Sequence, residues 1–177
     1  METPTPLTVR SSTAEDIPAI TEIYAREVET GLATFELSPP DAGEMTRRRV
    51  ALLGDDMPYL VAEIDGRVAG YAYAGLYRPR PAYRFTIENS VYVADWARRR
   101  GVARALMLAL IEVCEAAGRR QMMAVISAGD ASIALHAALG FVEVGRMQAV
   151  GWKFDRWVDV TVMQRALGPG SDQPPPS

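Results

Sequence analysis

The sequence of 177 residues has one cysteine, Cys114, and one histidine, His136. A lone cysteine excludes an internal disulfide and fits a reducing cytoplasm. Cys114 lies within an apolar helical pattern, where a buried structural thiol is expected rather than a nucleophile. No metal centre is expected. A net basic excess is also lacking: the formal net charge is −3, so the overall field invites neither nucleic acid nor an anionic membrane. Any basic site must therefore be local. No run approaches the ~20 apolar residues of a membrane span, and Met1-Glu2-Thr3-Pro4-Thr5-Pro6 has neither the basic nor the apolar region of a signal peptide. No internal repeat is visible. What is present, 49% hydrophobic and 23% charged residues, is the balance of a globular protein with room for a full core. A single domain over 1–167 is expected, followed by a tail, 168–177, whose Pro, Gly and Ser content predicts disorder.

Hydrophobic spacing divides the chain into alternating elements. A short strand is expected at 7–10 and a helix at 14–28, with Thr13 and Asp16 as a capping box and Pro18 in the first turn. A second helix is expected at 41–53. Strands at 59–64 and 68–77 flank Asp65-Gly66, a type I′ hairpin signal. Further strands are expected at 86–93, 121–126, 141–150 and 156–166. A helix at 102–117 places Val102, Leu106, Leu110 and Val113 on one face. A short helix at 131–139 has Asp130 as its candidate cap. The order predicts an α/β or α+β fold: a mixed sheet with helices on both faces.

Between the strand at 86–93 and the helix at 102–117 stands Arg98-Arg99-Arg100-Gly101-Val102-Ala103. A small-residue turn opening a helix presents free N–H groups and the positive end of the helix dipole. Arginines at the same corner suit phosphate. A pyrophosphate cradle, a solvated basic turn and a nucleic-acid patch all fit the hexapeptide alone. The acidic background and the lack of interleaved aromatics weigh against nucleic acid.

Arg98-x-x-Gly101-x-Ala103, following Ser90-Val91-Tyr92-Val93, resembles the acetyl-CoA motif of the GCN5-related N-acetyltransferases. Ala82-Tyr83-Arg84, Glu88-Asn89-Ser90, Ser132-Ile133-Ala134-Leu135-His136, Val150-Gly151 and Lys153-Phe154-Asp155-Arg156-Trp157 resemble the phosphinothricin acetyltransferase branch. That branch includes enzymes acting on methionine sulfoximine and methionine sulfone. The resemblance implies a mostly antiparallel sheet whose one parallel pair splays to admit acetyl-CoA. It also implies that the pantetheine arm lies along Val91, Tyr92 and Val93, and that the pyrophosphate meets Arg98, Arg99, Arg100, Gly101, Val102 and Ala103. Gly129 and Ser132 fall in a further cofactor motif. A homodimer is expected from the resemblance alone.

Acetyl transfer to an amine needs a base for the ammonium, donors for the thioester oxyanion and a proton for the leaving thiolate. Glu88 is the candidate base; it shares a strand face with Ser90 and Tyr92, although an exposed charge on a half-buried strand reads the same way. The resemblance makes the Val91 N–H the oxyanion donor. His136 is either a core histidine or a group assisting proton transfer. Arg78, Arg80, Tyr83 and Arg84 form either a carboxylate-holding cluster or a solvated loop. Phe35 is a candidate lining of the acceptor pocket or a core residue. The expected acceptor is the α-amine of a small amino-acid analogue, with another small amine, a peptide N-terminus or a non-catalytic acyl-CoA sensor as alternatives. Three positions depart from the pattern: Arg99 and Asp155 stand where glycine is usual, and Gly129 where asparagine is usual.

Overall fold

A computed structural model describes residues 6–127 and 129–175. Its elements run β1 (Thr8–Ser11), α1 (Ile17–Thr30), α2 (Ala42–Gly54), β2 (Tyr59–Ile64), β3 (Arg67–Leu76), β4 (Thr86–Val93), α3 (Val102–Ala116), β5 (Gln121–Ile126), α4 (Asp130–Ala138), β6 (Val142–Lys153) and β7 (Arg156–Ala166). The strands form one sheet in the order β1-β2-β3-β4-β5-β7-β6. Only β4 and β5 pair in parallel, and their pairing stops at Glu88 with Met123. Beyond that point the two strands part. This is the mixed, mostly antiparallel sheet with a splayed parallel pair that the resemblance implies.

Alternation along β3 decides which helix covers which face. A side chain at Gly70 would meet Val102 and Leu106 of α3, so α3 packs on the Gly70 face. Tyr71 and Tyr73 project from the other face, where Tyr71 stacks on Tyr92 and Tyr92 meets Tyr24 of α1 edge-on at 5.2 Å. Gly70 is required there: a Cβ would lie 2.7 Å from the Tyr92 carbonyl and 3.0 Å from Val102. Ile20, Val61, Tyr71, Leu106, Leu110 and Met122 are fully enclosed, giving one continuous core across both faces.

Local chemistry explains most boundaries. The Thr13 N–H donates to Asp16 at 2.7 Å, as the capping-box reading expects, and Arg10 grips the same carboxylate. Asp65 and Gly66 both have positive φ, as a type I′ turn demands. Two expectations fail. Val113 is exposed; the buried arc of α3 is Val102, Leu106, Met107, Leu110, Ile111 and Cys114, and at 3.6 residues per turn Val113 falls at its margin rather than its centre. Burial pushes the Cys114 thiol up to about 12, which leaves it unreactive. Asp130 does not cap α4 but begins it. Gly129 is the cap residue, at φ 86° and ψ −165°, a conformation essentially confined to glycine. Gly168 to Pro175, where composition predicts disorder, lies in turns held by Arg120, whose guanidinium donates to the Pro174 carbonyl at 3.0 Å.

Candidate active site

The parting of β4 from β5 leaves half of β4 without a sheet neighbour on one edge. The direction of its backbone groups follows from two flanking bonds. Tyr77 N–H donates to the Thr86 carbonyl, and Ala94 N–H donates to the Ala69 carbonyl, both toward β3. By alternation the groups of Glu88, Ser90 and Tyr92 also face β3, and those of Asn89, Val91 and Val93 face the β5 side, where the pairing ends at Glu88 and leaves Val91 and Val93 on the gap. The Val91 and Val93 amides are thus available to an extended ligand laid along the gap as one more strand.

Two cavities meet over this segment. The smaller, about 220 Å³, is lined by Glu88, Ser90, Phe35, Thr34, Ser127 and His136, among others. The larger cleft, about 620 Å³, runs past Val91, Val93, Arg98, Ala103 and Ser132. Ala33, Val91, Tyr92 and Ser132 belong to both. A long ligand in the cleft therefore delivers its end to the small cavity.

The mouth of the cleft is the start of α3. Gly101, at φ 80°, turns the chain into the helix, and no side chain caps it, so the first amides remain open to an anion. The three arginines differ. Arg98 leans on Asp95 at 2.9 Å and Glu27 at 3.7 Å. Arg99 holds a positive φ of 59°, which accounts for the preference for glycine there. Arg100 lies over the Trp96 ring, 5.9 Å from its centroid. The Val102 side chain is core, so only its backbone faces the turn. Of the second cofactor motif, Ser132 lines the cleft. Gly129 lines a neighbouring cavity instead, with Trp157 and Asp159.

Glu88 is half-buried and has no cationic partner within 4.0 Å among the described residues. Burial raises its carboxyl above the ordinary range, and the charge of Arg78 partly offsets that. His136 is 2% exposed and enters from the opposite face of the sheet. Its Nδ1 lies 2.8 Å from the Ser132 carbonyl and its Nε2 3.0 Å from Asn89 Oδ1. Burial also pushes its imidazole below the usual value, against the pull of the Ser132 carbonyl.

The sequence-derived acceptor cluster is only partly assembled. Phe35 lines the small cavity. Arg78 stacks on Tyr77 while its charge reaches Glu88. Arg78, Arg80, Tyr83 and Arg84 line neither cavity: Tyr83 packs edge-on against Tyr77, and Arg84 lies over Phe85. The segment carrying Phe35 is instead fixed by residues that sequence spacing did not single out as site residues. Lys153 Nζ donates to the Thr34 carbonyl at 2.9 Å, Ser127 to the Leu32 carbonyl, and Ala33 N–H to Glu27 at 2.9 Å. Tyr24 and Arg48 both donate to Glu36. Gly151 leaves room for the Phe35 ring, whose atoms lie 2.3–2.8 Å from where a Cβ would stand. One sequence signal existed, the Val150-Gly151 and Lys153 motif, but not the contacts it makes.

Comparison with known proteins gives concordant matches. The acetyltransferase (GNAT) family model matches residues 18–141. A phosphinothricin N-acetyltransferase of Alcaligenes faecalis is 53% identical over 165 residues, 92% of this chain and 84% of that protein. An L-methionine sulfoximine/L-methionine sulfone acetyltransferase of Pseudomonas aeruginosa is 39% identical over 94% of this chain and 98% of its own. The crystal structure of a phosphinothricin acetyltransferase from Sinorhizobium meliloti in complex with AcCoA superposes with a TM-score of 0.95 at 46% identity. It covers 97% of this chain and 94% of that one.

Proposed function

Because the chain belongs to the GNAT acetyltransferase family and is an acetyl-CoA-dependent acetyltransferase, we propose that its acceptor is the α-amine of a small amino-acid analogue, phosphinothricin, methionine sulfoximine or methionine sulfone. The observation that carries this reading is Glu88, a half-buried carboxylate in a small cavity that opens onto the cofactor cleft. A volume of about 220 Å³ suits an amino acid better than a peptide end.

In this reading Glu88 takes a proton from the substrate ammonium, directly or through water. Its raised affinity for protons makes the ionised form a stronger base. The freed amine attacks the thioester carbonyl carbon, so that a C–N bond forms and the C–S bond breaks. The Val91 N–H, which faces the gap, donates to the developing oxyanion. The departing thiolate receives a proton, with His136 as the group assisting that transfer. Val93 and the open amides of α3 hold the pantetheine and pyrophosphate, with Arg98, Arg99 and Arg100 supplying charge. Arg78 is the first candidate to hold the substrate carboxylate, since its field already acts on Glu88; Arg80, Tyr83 and Arg84 lie on the same loop.

The protein is also assigned as a cytoplasmic homodimer. The edge strand β6 exposes Val142, Val144, Met147, Val150 and Trp152, and Trp157 beside it is 63% exposed. An unpaired edge bearing an apolar band is self-complementary about a twofold axis. The lone buried thiol fits a reducing compartment.

Thiol release from acetyl-CoA tests the acceptor assignment, with phosphinothricin, methionine sulfoximine, methionine sulfone, ordinary amino acids, a polyamine and a short peptide as the panel. Saturable turnover on the phosphinic or oxidised-methionine analogues is expected. Turnover confined to the polyamine or peptide would overturn the assignment. Sedimentation of the purified chain checks the dimer, and replacing Trp152 and Trp157 with serine is expected to yield monomers.

A further inference from the structure

We propose that Glu27 is a positioning residue for the acceptor: its carboxylate holds the loop that carries Phe35, and Gly31 leaves the space in which it does so. The inference rests on the reading of the small cavity as the acceptor pocket.

Glu27 stands in the last turn of α1 and lines the larger cleft, with its side chain 16% exposed. A carboxylate on the wall of a cleft that admits a pyrophosphate-bearing ligand opposes that ligand, so its presence there calls for another use. Two contacts supply one. Oε1 accepts the Ala33 N–H at 2.9 Å. Oε2 faces Arg98 Nη2 at 3.7 Å, which offsets the negative charge at the cofactor mouth.

Ala33 belongs to both cavities, and the next residues, Thr34 and Phe35, line the small one. A fixed Ala33 amide therefore fixes the start of the acceptor wall. The adjoining grip has the opposite charge: Lys153 Nζ donates to the Thr34 carbonyl at 2.9 Å. The N–H needs an acceptor and the carbonyl needs a donor, so neither side chain can stand in for the other.

Gly31 points to the same carboxylate independently. Its N–H donates to the Glu27 carbonyl at 2.8 Å, closing α1. A Cβ on Gly31 would stand 1.7 Å from Glu27 Oε1 and 2.5 Å from Oε2. The backbone makes no such demand: φ is −109° and ψ 175°, an extended conformation open to any residue. Glycine is called for at this position by the carboxylate that lies against it. Gly31→Ala thus expels the Glu27 carboxylate from Ala33 without straining the backbone.

Amide hydrogen exchange at Ala33 reads the tether without turnover, and steady-state kinetics with methionine sulfone and acetyl-CoA read its effect. In Glu27→Ala and in Gly31→Ala the Ala33 amide is expected to exchange about tenfold faster than in the parent. KM for methionine sulfone should rise about fivefold in both, while KM for acetyl-CoA changes less than about twofold. Glu27→Gln keeps an acceptor oxygen and is expected to restore parent exchange and the parent KM for the sulfone. Adding Gly31→Ala to Glu27→Ala should change nothing further, since the space is then empty. An Ala33 amide indifferent to Glu27→Ala, a Glu27→Gln variant as impaired as Glu27→Ala, equal rises in both KM values, or additive effects in the double variant would each overturn the proposal. Should Glu27→Ala fail to fold, Gly31→Ala and Glu27→Gln decide by the same readouts. A parent that turns over no amino-acid analogue, while its Ala33 amide responds as expected, would instead overturn the acceptor reading and leave the tether standing.

Discussion

The two edges of β4 carry identical backbone chemistry and use it differently. On the β3 side seven consecutive pairs, from Gly70 with Val93 to Leu76 with Ile87, satisfy every other amide and carbonyl. On the β5 side only Thr86, Ile87 and Glu88 are paired, and the groups of Val91 and Val93 look into a gap. The closed edge is bounded by core: Tyr71 stacks on Tyr92, and Gly70 lets α3 approach. The open edge is bounded by two cavities, a helix N-terminus and the one carboxylate in the small cavity. In the proposed reading core contacts hold one side of the strand and the chemistry runs on the other, so substitutions on the two sides should fail in different assays.

The largest effect is expected from Glu88→Gln on the open edge. Turnover at neutral pH should fall about 10²–10⁴-fold, while calorimetry still registers acetyl-CoA binding. In the parent, kcat/KM should rise with pH through the raised Glu88 value. The stability sign is the reverse. A carboxyl raised by burial favours the folded state most when protonated, and that contribution is lost as pH rises through the raised value. Glu88→Gln should therefore melt no lower than the parent at neutral pH. Near-parent kinetics in this variant would remove Glu88 from the chemistry.

Gly70→Ala strikes the closed edge. Its Cβ meets the Tyr92 carbonyl and Val102, so stability should drop by about 2 kcal/mol, or about 6 °C in Tm, with specific activity of the folded fraction retained. A fall in kcat without a fall in Tm would erase the division between the edges. Gly151→Ala is subtler: the Phe35 ring must move, so KM for the amine should rise about fivefold while KM for acetyl-CoA holds. Smallest is Asp155→Gly in the β6–β7 turn, where Phe154 and Asp155 have φ of 52° and 53°. Relieving one of these should add about 0.5 kcal/mol in denaturant melts without changing either KM.

What the sequence made legible was local. Alternation marked β4 and β5 at their observed ends, Asp65-Gly66 marked its hairpin, and the turn through Gly101 marked the start of α3, where no side chain caps the first amides. Glu88 could be placed on a face because strand periodicity is rigid. Contacts between distant segments were out of reach: Asn89 with Met123, and Lys153 with Thr34, join residues 34 and 119 positions apart. Adjacency in the sequence likewise put Arg78, Arg80, Tyr83 and Arg84 in one cluster, and only the fold shows that none of the four lines the cavity holding Glu88. The departures at Arg99 and Asp155 also needed coordinates, since both are positive-φ positions that glycine fits and other residues tolerate at a cost. Nor did spacing reveal that Trp152 and Trp157 are both exposed and meet edge-to-face at 5.1 Å.

Residue-resolved amide hydrogen exchange along β4, with and without acetyl-CoA, tests the contrast between the edges most directly. The account predicts that the amides of Val91 and Val93 exchange readily in the free protein and become protected by acetyl-CoA. Those of Ser90 and Tyr92, already bonded to β3, should scarcely change. Uniform protection along the strand, or protection of Ser90 and Tyr92 alone, would contradict it.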